Sequence, residues 1–118
     1  MIMDSSSFVE GIHTAVYEGA IDDVVTLLSV SSGRTPNPRL IALSDWYKAL
    51  EASDARRVEE VIQLSVDLAV FGFLAVLDGV RAVDNDATEL TLLADGEPLN
   101  EFGDLHDRFR SLADGDET

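Results

Sequence analysis

Residues 58–77 read Val-Glu-Glu-Val-Ile-Gln-Leu-Ser-Val-Asp-Leu-Ala-Val-Phe-Gly-Phe-Leu-Ala-Val-Leu, and this stretch decides the fold. Wound as a helix it keeps almost no polar face, which is typical of a helix in a protein core or in a membrane. Gln63, Ser65 and Asp67 interrupt it, so the unbroken part, 68–77, is about half of the ~20 residues needed to cross a bilayer. We therefore expect a soluble protein in which this helix is buried by its neighbours or across a subunit interface.

Apolar residues at helical spacing predict more helices earlier in the chain. The first is expected to begin at Ser7, because Ser7 and Glu10 have the spacing of a capping box. Gly19 then separates two short helices or kinks a single one. Two prolines and a glycine predict a loop over residues 31–38.

The end of that loop predicts the start of a third helix. Asn37 is a favourable N-cap and Pro38 suits the first helical position, where a missing N–H costs nothing. This helix is expected to run to about Ala52. Ser53 or Asp54 would then cap the helix that carries the apolar stretch.

Beyond the apolar stretch the pattern changes to that of short strands. Asp78 and Gly79 are expected to end the helix, since glycine accepts the left-handed conformation found there. Residues 80–83 and 89–93 are predicted to form two strands, with residues 84–86 as the turn between them.

The C-terminal region is predicted to hold a second turn at Asp95 and Gly96, a short strand at 98–100 and a last helix over 104–112. The acidic tail 114–118 is expected to fray. The prediction is a single domain formed by all 118 residues. Its fold class is α+β and predominantly helical, with four to five helices around a central apolar helix and a small antiparallel β-hairpin near the C-terminus.

The charge balance restricts the classes of partner. The formal net charge is −15, with 23 acidic and 8 basic residues. Nucleic acid and anionic membranes are disfavoured because phosphate contacts need clustered Lys and Arg, and a basic protein partner is favoured. The alternative is that the bias marks the proteome of a salt-adapted organism with a GC-rich genome, bacterial or archaeal. Lys48 as the only lysine beside seven arginines fits that alternative.

Cysteine is absent, which excludes disulfides, thiolate metal sites and thiol nucleophiles. The first seven residues carry no Lys or Arg, unlike the basic region of a signal peptide. A cytoplasmic location is therefore expected.

The two histidines offer little chemistry. His106 has Asp104 and Asp107 nearby, but residues one or two apart on a helix do not share a face. A metal site completed by distant His13 stays open. We favour Asp104 as the cap of the last helix, His106 as a surface or interface residue and His13 as a partly buried structural histidine. We expect no catalytic residue, no cofactor and no metal ion.

Asp67 is the one charge in the apolar stretch after Glu60, and a buried carboxylate must be paired or become neutral. We expect an ion pair with Arg81 or with an arginine of another helix, which makes Asp67 a structural buried charge. The alternative is an enzyme or small-ligand binder that uses Asp67, Tyr47 and His106 around a pocket.

Three segments, residues 67–81, 89–93 and 104–107, resemble small uncharacterised bacterial proteins in which an apolar helix ending in Leu-Asp-Gly leads into a short hairpin and a final helix. The resemblance covers the C-terminal half and implies an α+β fold with no established activity. It implies that three residues are characteristic: Asp78, Gly79 and Arg81. In size and charge the chain is also similar to immunity proteins and antitoxins.

These observations favour a non-enzymatic acidic domain that binds a basic protein, with an immunity or antitoxin role as the concrete version. Salt is expected to weaken such a complex. The candidate contacts are acidic residues near the hairpin and last helix: Asp84, Asp86, Glu89, Asp95, Glu97, Glu101 and Asp107. The alternative function is a structural, self-associating module. In that case Trp46, Phe71 or Phe73 would form a homodimer surface.

Overall fold

The computed structural model describes residues 3–30 and 37–115 and shows a predominantly helical α+β fold, as predicted. The elements are α1 (Ser5–Ile12), α2 (Gly19–Ser29), α3 (Pro38–Lys48), α4 (Ala52–Leu77), β1 (Leu93–Ala94), β2 (Glu97–Pro98) and α5 (Leu105–Ala113). Most of the predicted loop, residues 31–36, and the end of the predicted tail, residues 116–118, lie outside the described residues.

Helix α1 begins two residues earlier than predicted. The N-cap is Asp4, whose side chain accepts a hydrogen bond of 2.8 Å from the Ser7 amide. The predicted capping box of Ser7 and Glu10 is wrong, because a carboxylate three residues upstream takes the amide that such a cap must satisfy. This bond lowers the pKa of Asp4, since it favours the ionised form.

A π-helical segment, His13–Glu18, joins α1 to α2. Gly19 follows it with ordinary helical backbone angles, φ −62° and ψ −44°. The break or kink predicted at Gly19 is therefore a π-helical segment that ends just before it. Residues 5–29 form one continuous helical run rather than two separated helices.

The start of α3 is as predicted, and its end is not. Asn37 is the N-cap, with its side chain accepting from the Arg39 amide at 3.1 Å, and Pro38 is the first helical residue. The helix ends at Lys48 instead of about Ala52.

Three residues separate α3 from α4. Glu51 is at the N-cap position of α4, and its side chain makes no capping hydrogen bond. The prediction that Ser53 or Asp54 caps it is wrong, because Glu51 already has the extended backbone of a cap and both residues lie inside the first turn. At the other end the prediction is confirmed: Asp78 is the C-cap and Gly79 has a left-handed φ of +79°.

The predicted hairpin exists but has shifted along the chain. Strand β1 pairs with β2 in antiparallel register, Leu93 opposite Pro98 and Ala94 opposite Glu97. Asp95 and Gly96 form the turn, with φ of +51° and +86°. Two positive φ values at the centre of a two-residue loop suit the twist of a hairpin.

Residues 80–83 and most of 89–93 are not strands, which corrects the prediction. The backbone groups that a ladder would use bind the Asn100 side chain instead: it accepts from the Leu92 amide at 2.9 Å and donates to the Leu90 carbonyl at 2.8 Å. A side chain that satisfies these groups removes the need for a second strand.

Helices α1, α4 and α5 enclose the main core. Its four fully buried members are Val9, Leu74, Leu105 and Phe109. Helix α3 packs against α2, where the Ser44 hydroxyl donates to the Leu28 carbonyl at 2.8 Å.

The prediction that neighbouring elements cover α4 is wrong. Only three of its residues are buried, Gly72, Leu74 and Ala75. The π segment, α2 and α5 pack on α4, while α3 has α2 as its main neighbour. One side of the apolar helix therefore faces solvent.

Candidate functional site

A row of exposed apolar side chains lies along the middle of α4. We call it the α4 face and define it as Val61, Leu64, Ser65, Leu68 and Ala69. The large side chains are 62% (Val61), 57% (Leu64) and 56% (Leu68) exposed. Spacings of three, four and seven residues put these positions on one side of a helix. The face carries no charge along about two and a half turns.

At its C-terminal end the α4 face meets a guanidinium group. Gly72 lies one further turn along the same side of the helix and is buried beneath Arg81: a Cβ added to Gly72 would lie 2.5 Å from Nη1 of Arg81. A side chain at this position would displace the end of the Arg81 side chain. Among the described residues no carboxylate lies within ion-pairing distance of Arg81.

By length and composition alone, α4 also passes as a membrane-spanning helix. Its opposite side, however, is committed to the folded unit, because Leu74 is in the core and Asp67 pairs with α5. The uncharged exposed part, 61–69, covers about 14 Å at 1.5 Å per residue, against ~30 Å of hydrocarbon.

Asp67 joins α4 to α5. Both of its carboxylate oxygens accept from Nη1 of Arg110, at 2.7 and 2.8 Å, which raises the pKa of Arg110. The same guanidinium lies 4.6 Å from the centre of the Phe71 ring. Asp67 thus has an arginine of another helix as its partner. Arg81, the other candidate, lies over Gly72.

A second polar contact fixes α5 to the end of α4. Oδ2 of Asp78 accepts from the His106 amide at 2.8 Å and lies 2.5 Å from Nδ1 of the His106 ring. The Asp78 side chain is fully buried and its Oδ1 has no partner among the described residues. Asp78 therefore caps α5 from a position 28 residues away in sequence, while Asp104, at the N-cap position, makes no capping bond.

An aspartate hydrogen-bonded to a histidine is also two thirds of a nucleophilic triad. The other ring nitrogen, Nε2 of His106, lies 3.5 Å from the Asp107 carboxylate. No hydroxyl of the described residues hydrogen-bonds to His106. Within the described ranges, no group of three or more His, Asp and Glu side chains could hold a metal ion.

The three residues considered for an enzyme site have separate hydrogen-bond partners. The Tyr47 hydroxyl donates to Glu59 at 2.6 Å, Asp67 binds Arg110 and His106 binds Asp78. Each side chain is thus engaged with a different partner, and Asp67 lines none of the described cavities.

Two of the seven acidic candidates meet at one cavity. Glu89 and Glu101 line a space of about 460 Å³ between the end of α4 and the hairpin, together with Asp78 and the 77% exposed Phe102. No basic residue lines this cavity.

The other five acidic candidates lie in three different parts of the structure. Asp84 is occupied by its own turn, where it accepts from the Thr88 hydroxyl at 2.6 Å, and this bond lowers the pKa of Asp84. Asp86 follows in the same turn. Asp95 and Glu97 belong to the hairpin and Asp107 to α5.

The three aromatic residues predicted for a homodimer surface differ in solvent exposure. Trp46 and Phe73 are 52% and 64% exposed. Phe71 packs edge-on against His106, with ring centres 5.5 Å apart, and also contacts Arg110. Phe71 is therefore only partly available to a second copy, and the homodimer surface stays a prediction.

Sequence reasoning missed the contacts of Asn100 and the pairing of Asp78 with His106. Asn100 also donates to the Leu77 carbonyl at 2.5 Å, which fastens the loop before the hairpin to the end of α4. These partners are 23 and 28 residues apart, so no local spacing could have indicated them.

No protein-family model, curated protein or solved structure matches this chain.

Proposed function

We propose that this protein is a non-enzymatic interaction module that binds another protein chain through the α4 face. The observation that carries the proposal is the exposure of Val61, Leu64 and Leu68, each above one half, in a row without charge. Removing such a surface from water is worth roughly 25 cal/mol per Å². Monomeric proteins rarely leave contiguous apolar surface uncovered unless it has a function.

The polar groups support the non-enzymatic part of the proposal. Asp67, Asp78 and His106 use their hydrogen bonds to join α4 to α5. Groups that hold helices together in this way are structural. A binding role therefore suits the fold better than a reaction.

Leu68→Arg tests the proposal, because a charge in the middle of the α4 face would have to be buried on binding. Leu93→Arg is the matched control: Leu93 is also 56% exposed, but it lies on β1. Both tagged variants and the wild type would be purified from the producing cells and examined by native mass spectrometry. We expect the wild type and Leu93→Arg to be bound to a second chain. Leu68→Arg should have no bound chain and an unchanged circular dichroism spectrum. A partner retained by Leu68→Arg would refute the proposal.

A second candidate function is binding of a basic protein, as an immunity protein or antitoxin binds its toxin. The cavity lined by Glu89 and Glu101 favours it, because no basic residue lines the cavity and these two carboxylates attract a lysine or arginine side chain. Titration with an oligolysine peptide at low salt tests it. Joint substitution Glu89→Gln and Glu101→Gln should weaken binding by on the order of 10-fold. The control, Asp22→Asn with Asp23→Asn, makes the same charge change on α2. Equal effects of the two pairs would indicate non-specific attraction and contradict this candidate.

A further inference from the structure

We infer that the chain bound by the α4 face is a second copy of this protein, with the two α4 helices antiparallel about a twofold axis. This inference rests on the proposed function and names its partner. A twofold interface uses the same surface patch on both copies, so the patch must complement itself in shape and charge. The α4 face can be examined for both properties.

The first property is the absence of charge from the α4 face. The chain has a net charge of −15, so most of its surface repels a second copy. From Val61 to Ala69 the face carries no charged side chain, and two copies can meet there without placing like charges in contact. A basic partner would instead be drawn to the carboxylates elsewhere on the molecule.

The second property is the amount of surface. The chain exposes 8145 Å², against about 6,300 Å² for a monomeric protein of 12.8 kDa. The α4 face is part of this large surface, and its three large side chains are each more than half exposed. A standard interface buries ~800 Å² on each partner.

The third property is the distribution of charge at the two ends of the α4 face. Asp54 lies two turns before Val61 on the same side of the helix and is exposed, and no described cation is within ion-pairing distance of it. Arg57 is already paired with Glu60 at 2.8 Å. Arg81 occupies the opposite end. Because the Arg81 guanidinium lies over Gly72, antiparallel helices centred on Ser65 place it opposite residue 58 of the other copy, beside the paired Arg57 and about 6 Å along the helix from Asp54. Parallel helices would instead bring the two Arg81 groups together.

The absence of cysteine permits a direct test of this geometry. Ser65 lies near the middle of the α4 face, so two Ser65→Cys copies would meet close to the twofold axis. Two Asp54→Cys copies would be about 33 Å apart, since 11 residues at ~1.5 Å separate Asp54 from Ser65 on each side of the axis. A short bis-maleimide should therefore join Ser65→Cys into covalent dimers and leave Asp54→Cys as single chains. Linking of both variants would indicate a parallel pair, and linking of neither would exclude the dimer; each result overturns the inference.

Sedimentation equilibrium of the purified full chain gives the strength of association. We expect a dimer whose dissociation constant rises by at least ~30-fold in Leu68→Arg, the size of an interface hot spot, and stays unchanged in Leu93→Arg. Arg81→Glu should weaken association by about 5-fold to 10-fold, and Arg81→Glu combined with Asp54→Arg should restore it. A failure of the combined variant to recover would overturn the antiparallel arrangement.

The two proposals fail in distinguishable ways. If the purified wild type is monomeric at every concentration while Leu68→Arg still loses a different partner in the producing cells, the second-copy inference is wrong and the proposed function stands. If Leu68→Arg keeps its partner in native mass spectrometry and its dissociation constant in sedimentation equilibrium, the proposed function and the second-copy inference are both wrong. Binding of the wild type to vesicles of neutral phospholipid, abolished in Leu68→Arg, would replace the second copy with a membrane.

Discussion

Leu68 and Leu74 are six residues apart in α4, and their surroundings are opposite. Leu74 is 2% exposed and lies in the core with Val9, Leu105 and Phe109, whereas Leu68 is 56% exposed. The residue type and the helix are the same. The difference comes from the arrangement of other elements, because the π segment, α2 and α5 pack on one side of α4 and none of the described elements covers the other. An apolar helix therefore acquires a packed side and an exposed side only when its neighbouring elements are in place.

The largest effect is expected when Leu74 and Leu68 are each changed to alanine. Leu74→Ala should lower the free energy of unfolding by roughly 2–5 kcal/mol, because it leaves a cavity in the core. Leu68→Ala should change it by less than about 0.5 kcal/mol, since an exposed side chain loses little. Urea unfolding at a protein concentration low enough to keep the chain monomeric gives both values. Equal losses would remove the distinction between the two sides.

An intermediate effect is expected at the ion pair on the packed side. Asp67→Leu should cost roughly 1–3 kcal/mol, less than a fully buried pair would, because the Arg110 side chain is 31% exposed and can turn toward water. Adding Arg110→Met should recover much of the loss by replacing the remaining charge with an apolar contact. Thermal unfolding of Asp67→Leu, Arg110→Met and the double variant measures this coupling. If the stability losses of the two single variants add up to that of the double variant, Asp67 and Arg110 contribute independently and the pair does not hold α5 to α4.

The smallest effect concerns the link between α3 and the N-terminal half of α4. The hydrogen bond from the Tyr47 hydroxyl to Glu59 raises the pKa of Tyr47 above its usual value of about 10. A raised pKa stabilises the folded state below the unfolded value, and this contribution is lost as the pH rises through the folded value. Tyr47→Phe should therefore be less stable than the wild type by about 1 kcal/mol at neutral pH, and the gap should close above pH ~10. Chemical unfolding at pH 7, 9 and 11 measures it; a gap that stays constant with pH would contradict the assignment.

Several local features could be predicted from the sequence because they depend on neighbours within a few residues. The cap at Asn37, the end of α4 at Asp78 and Gly79, and the turn at Asp95 and Gly96 all follow from the chemistry of single residues. The prediction at Ser7 was wrong for the same local reason, since Asp4 provides a competing acceptor.

Contacts between distant segments could not be predicted in this way. The sequence indicated that Asp67 needs a cation, but Arg110, 43 residues away, was one of several arginines that could supply it. Nothing in the spacing of the chain indicates that Asp78 caps α5 or that Asn100 holds the end of α4. Such bonds depend on how the helices come to lie against one another.

The amino acid pattern alone predicts an apolar helix over residues 58–77 in a predominantly helical, acidic, cysteine-free chain. Which side of that helix is buried depends on the tertiary structure, because burial requires other elements to pack against it and their positions depend on contacts far apart in the chain. The α4 face exists because the remaining elements pack on the opposite side, and the amino acid pattern is apolar on both.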